Sequence, residues 1–267
     1  MKHASTPRHA FSLVELSIVL VILGLLTGGI LTGQSLIRAA ELRSVSTQYS
    51  AFSTAVMSFR DKYFALPGDM RNATSFWGAA HATPATCATT AATGTATCNG
   101  DGNGMIEVSA GSNEKFRFWQ HLANAGLVEG NYTGIEGASG QADYAVANVN
   151  APAGKLGNSL WHTRTISNNV YVSGHTQYFD GVYGNVYQFG AQTLNNDPST
   201  SVLSPEEAWN IDTKIDDGKP ATGLLVPRTR ATCTNATAAV ADSDNFDSIY
   251  NLTNTSAACV LVFRKIY

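Results

Sequence analysis

The chain has 267 residues, of which 14% are charged, and its formal net charge is −3. That length is enough for one large domain or two small ones, each with a hydrophobic core of its own. The slight excess of acids excludes a protein that binds nucleic acid through a broadly basic surface, although a small local patch for single-stranded DNA is compatible with it.

The first feature in chain order is a long apolar segment, residues 11–31, in which Glu15 is the only charged residue. A helix of about 20 apolar residues spans the ~30 Å hydrocarbon core of a membrane, so this segment predicts a transmembrane helix. A carboxylate inside such a helix costs roughly 2.5–3.5 kcal/mol. The position of Glu15 therefore indicates a function and a cationic partner.

Two simpler interpretations of this segment are open. A cleaved secretory signal has an apolar stretch of about 7–15 residues and a small-residue cleavage site after it. Here the stretch is longer, and TGQS at residues 32–35 is a poor site of that kind. The other interpretation is a plain membrane anchor in which Glu15 has no function.

Residues 10–15, AFSLVE, follow a short basic leader and begin the apolar segment. This arrangement resembles the cleavage signal of type IV prepilins and type II secretion pseudopilins. The resemblance implies that a prepilin peptidase removes residues 1–10, that the new amine of Phe11 is methylated, and that Glu15 becomes the fifth mature residue. The family usually has glycine before the cut, where this chain has Ala10, so we expect slower cleavage rather than none.

The resemblance also implies a structural function, as a polymer subunit of a type IV pilus or a secretion pseudopilus. The implied partners are the membrane, identical or related pilin subunits, the prepilin peptidase and an inner-membrane assembly platform. One membrane span would anchor the head in the periplasm before it enters an extracellular filament or a periplasmic pseudopilus. In the polymer, Glu15 of one subunit would pair with the Phe11 amine of a neighbour and set the axial register.

A function of a different class is the alternative. In that case the chain is a membrane-tethered adhesin or a DNA-capture tip subunit, and its head binds a ligand. A concave basic or aromatic patch on the head would favour this alternative, whereas smooth faces for subunit packing would favour the polymer.

The helical pattern continues beyond the membrane segment. Apolar residues recur at alternating spacings of three and four over residues 42–63, which is typical of one face of an amphipathic helix. Since no proline lies between Phe11 and Leu66, we expect one helix over residues 11–64 and an α+β head over residues 65–267. Aromatic residues on the apolar face favour packing against an antiparallel sheet, as in a type IV pilin-like fold, over a coiled-coil dimer.

Four glycines, Gly24, Gly28, Gly29 and Gly33, interrupt the apolar half of this helix. Their spacing gives two small-xxx-small patterns, which let helices approach closely. Each glycine also weakens the helix by about 1 kcal/mol relative to alanine.

The chain has four cysteines, and all of them follow the apolar segment. An even number of cysteines in an oxidising compartment indicates disulfides. The simplest of the three connectivities pairs Cys87 with Cys98 and Cys233 with Cys259. The sequence has no CxxC motif, which argues against redox or zinc chemistry.

Residues 99–106, NGDGNGMI, carry oxygen-bearing side chains at alternate positions. This is how an EF-hand-like calcium loop begins, because alternate side chains there point at one ion. The predicted ligands are Asn99, Asp101, Asn103 and Glu107. The twelfth loop position is Ala110 instead of glutamate, so calcium would have to recruit Glu107 or Glu114. A turn without an ion is the alternative.

Two short helices are expected in the head. The first covers residues 114–128, with Phe118 and Leu122 facing inward and His121 on the polar side. The second begins at Ser204, which is followed by proline and then by acids, as at a helix N-terminus.

Strands are expected where β-branched and aromatic residues cluster between glycine-rich turns. These segments are residues 143–149, 169–173, 182–189, 223–228 and 259–266. A group of acids, Asp242, Asp244 and Asp247, is either a metal site or a solvated loop.

No part of the sequence has the motif or spacing of a catalytic site. GxSxG, HExxH, GxGxxG and P-loop motifs are absent, and the six histidines are scattered. The adjacent acids Glu206 and Glu207 diverge on a helix and are poor acid–base partners. We therefore expect no enzyme activity, and no cofactor other than a structural calcium ion.

Overall fold

The structure is a computed structural model. It describes residues 12–109, 112–138, 143–166, 177–228, 230–236, 245–264 and 266. The chain divides into two compact units, residues 1–41 and 42–267. Helix α1 (Leu13–Tyr63) supplies the described part of the first unit and continues into the second, which also contains the head.

Helix α1 is 51 residues long and confirms the long N-terminal helix expected from the sequence. All of its buried side chains come from its C-terminal part. They are Val45, Phe52, Ala55, Val56 and Phe59. These residues share one face of the helix, as the alternating spacing predicted.

The head contains short helices and strands in addition to α1. The helices are α2 (Ala73–Trp77), α3 (Pro84–Cys87), α4 (Glu114–Asn124), α5 (Pro205–Ile215) and α6 (Arg230–Cys233). The strands are β1 (Val108–Ser109), β2 (Ser112–Asn113), β3 (Ser159–Ile166), β4 (Gly184–Ala191), β5 (Leu225–Pro227) and β6 (Leu261–Phe263). This combination confirms the α+β class.

Four of these strands form an antiparallel sheet in the order β3-β4-β6-β5. Trp161 of β3 lies opposite Phe189 of β4, and Tyr187 of β4 lies opposite Phe263 of β6. Since side chains alternate between the two faces of a strand, these four aromatic residues share one face of the sheet.

The C-terminal part of α1 packs on this aromatic face. The ring centroid of Phe52 lies 5.5 Å from that of Trp161 in β3, and it also lies 5.0 Å from that of Trp119 in helix α4. Tyr49 stacks on Phe263 with centroids 4.5 Å apart. Burial of one large apolar side chain stabilises a fold by about 1.5–3 kcal/mol. The amphipathic half of α1 therefore packs against an antiparallel sheet, as expected.

The prediction of a strand at residues 143–149 is wrong, because this segment is a loop. The buried side chain of Asn150 holds it: Nδ2 donates to the Tyr144 carbonyl over 3.0 Å, and Oδ1 accepts from the Val146 N–H over 2.7 Å. One side chain thus satisfies backbone groups that a strand would pair with a neighbour.

The other expected strands fall into two groups. Those at residues 182–189, 223–228 and 259–266 are confirmed as β4, β5 and β6, with ends that differ by a few residues. The strand expected at residues 169–173 lies outside the described residues.

Helices α4 and α5 confirm the two short helices of the head. Helix α4 begins at Glu114, as expected, and ends at Asn124, before the expected end at residue 128. At the start of α5 the Ser204 hydroxyl accepts from the Glu207 N–H, while the Glu207 carboxylate accepts from the Ser204 N–H. This capping box satisfies two N–H groups that have no partner inside a helix.

Two disulfides join Cys87 to Cys98 and Cys233 to Cys259, which confirms the simplest connectivity. All four cysteines are buried. The first disulfide links α3 to the start of the loop at residues 99–107, and the second links α6 to the segment just before β6. Each closes a loop that would otherwise be free in the unfolded chain.

Candidate functional site

The described part of the N-terminal segment begins at Ser12. The Ser12 N–H donates to Glu15 Oε2 over 2.9 Å, and the Val14 N–H donates to the Ser12 hydroxyl over 3.3 Å. These bonds cap the first turn of α1, where the helix dipole also favours a carboxylate. Ala10 and Phe11, which flank the expected cut, lie outside the described residues.

The apolar half of α1 exposes its side chains. Leu13, Leu20 and Leu31 are 85%, 62% and 68% exposed. Among the described residues, α1 is the helix long and apolar enough to cross a membrane, with an 18-residue window of mean hydropathy 2.4. An apolar surface of this extent needs lipid or neighbouring helices to cover it.

The glycines of this segment are not required for close packing against any part of the chain that the structure describes. A methyl group added at Gly24, Gly28, Gly29 or Gly33 would meet no other atom within 4 Å. Alanine would form a more stable helix at each position. Small residues are therefore compatible with a function in contacts with other helices, which approach most closely where side chains are smallest.

The loop at residues 99–107 brings three of the four predicted calcium ligands together. Asn103 Nδ2 donates to Asp101 Oδ2 and to Glu107 Oε1, each over 3.1 Å. The side-chain oxygen of Asn99 instead accepts from the N–H of Thr74, a residue of α2, over 2.9 Å. The side chain of Asn99 therefore stabilises a helix.

Two further carboxylates reach this loop from elsewhere in the chain. One oxygen from each of Asp69, Asp101 and Glu114 lies within 4.8 Å of the others. Asp69 accepts from the N–H groups of Asn103 and Gly104 at 3.0 and 2.9 Å. The calcium prediction did not include Asp69, because this residue precedes the loop by 30 positions and the Pro-Gly-Asp sequence around it is typical of a turn.

Burial governs the electrostatics of these three acids. Glu114 has no exposed surface. Burial, together with the nearby charges of Asp69 and Asp101, raises the pKa of Glu114 to about 8, against N–H donors that lower it. Burial likewise raises the pKa of Asp69. Oxygen ligands at this spacing suit a hard cation such as calcium, which would favour the ionised form of all three.

The backbone of the loop at residues 99–107, here called the calcium-type loop, lies very close to the turn that carries Asp69. A Cβ at Gly100 would lie 2.4 Å from backbone atoms of Asp69, so no side chain fits there. The Gly100 N–H donates to the Met70 carbonyl over 2.9 Å. This glycine is therefore required to bring the loop next to Asp69.

His121 is fully buried, so its expected position on the polar side of α4 is wrong. Its Nδ1 accepts from the Gly68 N–H, and its Nε2 lies 2.9 Å from the Thr97 hydroxyl. Burial first, and Arg117 second, lowers the pKa of His121 to about 3, so the ring is neutral at pH 7. His121 thus holds the Pro-Gly-Asp turn that carries Asp69.

A second cluster of buried polar side chains lies next to the sheet, and no sequence pattern predicted it. The Asp197 carboxylate binds Arg164 at 2.9 Å and Arg228 at 2.6 Å. His162 on β3 is fully buried, and burial lowers its pKa to about 3. Removal of one member of a buried ion pair of this kind destabilises a core, because the remaining charge is left uncompensated.

Of the three acids expected to group late in the chain, the structure describes Asp247 alone. Asp247 is exposed. Asp242 and Asp244 lie outside the described residues.

Comparison with protein families identifies the N-terminal segment. Residues 6–31 match the family model of the prokaryotic N-terminal methylation motif. No curated protein and no solved structure matched the chain. The motif is the prepilin-type cleavage and methylation signal of type IV pilins and pseudopilins, which confirms the resemblance seen in the sequence.

This signal defines a substrate of prepilin peptidase that resembles type IV pilins and pseudopilins. The motif implies processing by that peptidase and assembly with other pilin subunits. Together with the apolar half of α1, it fits a pilin anchored in the inner membrane.

Proposed function

We propose that this protein is a structural subunit of a type IV pilus or a type II secretion pseudopilus. A prepilin peptidase cuts between Ala10 and Phe11 and methylates the new amine. The mature chain then stays in the inner membrane through α1, with its head in the periplasm, until an assembly platform adds it to the polymer. The observation that supports this proposal most strongly is the coincidence of the methylation motif with an exposed apolar helix that carries Glu15.

The proposed assembly step follows from the environment of Glu15. The described partner of its carboxylate is the Ser12 N–H. A methylated amine on Phe11 of a neighbouring subunit would supply a positive charge, and a charge pair away from water fixes the axial position of two helices. The exposed leucines and small glycines of α1 would then pack against neighbouring copies.

We propose no catalytic function for the head. Its two fully buried histidines, His121 and His162, have pKa values lowered to about 3 by burial, so both are neutral core residues. The alternative of a tip subunit whose head binds a ligand predicts a protein that is present in few copies and is not needed for polymer growth.

We propose in addition that Asp69, Asp101 and Glu114 hold a structural calcium ion, with Asn103 and Glu107 beside them. The supporting observation is the convergence of the three carboxylates on a loop whose sequence already indicated calcium. The ion would stabilise the head and would have no chemical step to perform.

The N-terminus of the assembled protein tests the main proposal. Mass spectrometry of the purified mature protein is expected to show Phe11 as the first residue, with one added methyl group. Ala10→Gly, which restores the usual residue before the cut, is expected to speed cleavage without changing its position. Assembled protein that retains Met1, or that is cut near residue 33, would contradict the proposal.

A further inference from the structure

The ring of Phe64 projects from the head immediately after the end of α1. Phe64 is 94% exposed, and its backbone has a φ of 51°, in the left-handed region that large side chains rarely adopt. Its N–H still closes the last turn of α1 by donating to the Arg60 carbonyl over 2.8 Å. A strained backbone that presents a solvent-exposed aromatic ring indicates a function outside the subunit's own core.

A cleft of about 440 Å³ lies beside an earlier turn of the same helix. Its apolar lining includes Ala51, Phe52, Val128, Tyr132, Pro152 and Ala153. A cavity of about 150 Å³ is enough to hold benzene, so this cleft, here called the side cleft, has room for a phenylalanine ring.

The ring and the side cleft lie on opposite faces of α1. Arg60 borders the surface around Phe64, whereas Ala51 borders the side cleft. Nine residues at about 100° each place them roughly 180° apart around the helix axis. Phe64 also lies 13 residues beyond Ala51, which at 1.5 Å per residue corresponds to about 20 Å along the axis.

The charges around the two surfaces are complementary. Asp61 and Lys62 are exposed next to Phe64, while Glu129 and Lys155 are exposed at the rim of the side cleft. Arg60 is also exposed on the Phe64 surface, so Glu129 can face a base and Lys155 can face Asp61 around an inserted ring. Such rim charges add specificity more than affinity.

We propose that Phe64 of one copy of this chain inserts into the side cleft of the next copy. A contact between two different surfaces on opposite faces of one helix does not close on itself, so it generates a continuing polymer instead of a closed dimer. The contacting copies are displaced by about 20 Å along α1. This inference rests on the proposed function, and it adds a contact between heads to the contacts between N-terminal helices.

Cysteine cross-linking of the full chain in assembled polymer tests this contact. Ala65, next to Phe64, and Ala153, in the side cleft, are half-buried and small, so Ala65→Cys and Ala153→Cys change the fold little. The four native cysteines are held in disulfides and do not react with a short bismaleimide. The two new thiols lie on opposite sides of α1, so the reagent can join them only between copies.

The double variant is expected to give a ladder of dimers, trimers and higher products, whereas each single variant gives none. Phe64→Ala in the double variant is expected to reduce the ladder about tenfold or more, because loss of a buried aromatic anchor costs at least the free energy of a tenfold change. Phe64→Tyr keeps the ring and is expected to keep the ladder. Since Phe64 is exposed, neither change should affect folding.

Three results would overturn the inference while the proposed function stands. They are polymer that forms with no ladder, a ladder that survives Phe64→Ala, and a dimer from Ala65→Cys alone, which would show a symmetric contact. If mature protein with Phe11 at its N-terminus forms no polymer in any variant, both the proposed function and this inference are wrong. If a different protein occupies the side cleft instead of a second copy, no ladder forms, and that result would also overturn the inference.

Discussion

The Ser12 N–H donates to Glu15 Oε2 over 2.9 Å, at the N-terminal end of the apolar half of α1. This bond engages one oxygen of the carboxylate with a neutral donor, so it orients the side chain without compensating its charge. In the proposed assembly step, a cation from a neighbouring subunit compensates that charge, and this leads to the first prediction.

Glu15→Gln and Glu15→Val are expected to impair assembly while cleavage and membrane insertion continue. An unpaired carboxylate is unfavourable in a membrane, so its removal should leave insertion unchanged or slightly improved. In a polymer core, loss of one member of a buried charge pair costs on the order of 3–5 kcal/mol, because the other charge is stranded. Polymer yield should therefore fall strongly in both variants.

Glu41→Gln is the matched control in the same helix. Its partly exposed ion pair with Arg38, at 3.4 Å, contributes little. Membrane fractionation, N-terminal analysis and sheared-polymer yield are measured for all three variants. Normal polymer from both Glu15 variants would show that Glu15 does not set the register. It would favour the alternative of a membrane-tethered subunit whose head binds a ligand.

Gly28→Leu is expected to separate the stability of one subunit from assembly. A Cβ added at Gly28 meets no atom within 4 Å, and leucine forms a better helix than glycine, so the subunit should accumulate normally. Neighbouring helices should be held apart, because close approach depends on small residues. Leu26→Ile, at an exposed position in the same segment, is the control and should leave polymer yield unchanged. Equal yields from the two variants would argue against helix packing at Gly28.

The features that the sequence predicted depend on neighbours along the chain. The periodicity of α1, the capping residues of α5 and the pairing of nearby cysteines all involve residues within about 30 positions of each other or a repeating pattern. His121 shows the limit of such patterns. Its helix is covered on the side that a polar residue should occupy, since the turn at Gly68 and the strand-like segment at Thr97 pack over it.

Contacts between distant segments account for what the sequence did not predict. Asp69 reaches the calcium-type loop only because Gly100 allows a close backbone approach. Strand β3 was not expected, because His162 and Arg164 interrupt its apolar pattern. These polar residues are tolerated there since Asp197, from a later loop, lies beside them and binds Arg164.

Removal of either disulfide is expected to destabilise the head by about 2–4 kcal/mol. The Cys233–Cys259 loop spans 26 residues and the Cys87–Cys98 loop 11, so loss of the former should cost somewhat more in loop entropy. Paired Cys→Ser variants of the full chain in detergent are compared by denaturant unfolding. A combined variant should lose about the sum of the two. Free thiols in the native protein would contradict the pairing.

Calcium is expected to stabilise the head, and its effect should grow as pH rises from 5 to 8. In the absence of an ion, burial raises the pKa of Glu114 from 4.5 to about 8. Between these two values the folded head keeps a proton that the unfolded chain releases, so the free energy of unfolding falls as pH rises. Calcium replaces that proton and removes the penalty. At an ion concentration of about 100 times the Kd, binding adds roughly 2.7 kcal/mol, which corresponds to a rise in Tm of several degrees.

Thermal unfolding of the full chain in detergent, with calcium or with a chelator, checks this at pH 5 and pH 8. Glu114→Gln is expected to abolish the calcium effect and to flatten the pH dependence, because the amide neither titrates nor neutralises the ion. Asp247→Asn removes an exposed acid elsewhere in the head and should preserve both effects. An unchanged Tm on chelation at pH 8 would mean that residues 99–107 form a turn without an ion. A calcium effect that survives in Glu114→Gln would instead place the ion at different ligands, since Glu114 supplies one of the three carboxylates of the proposed site.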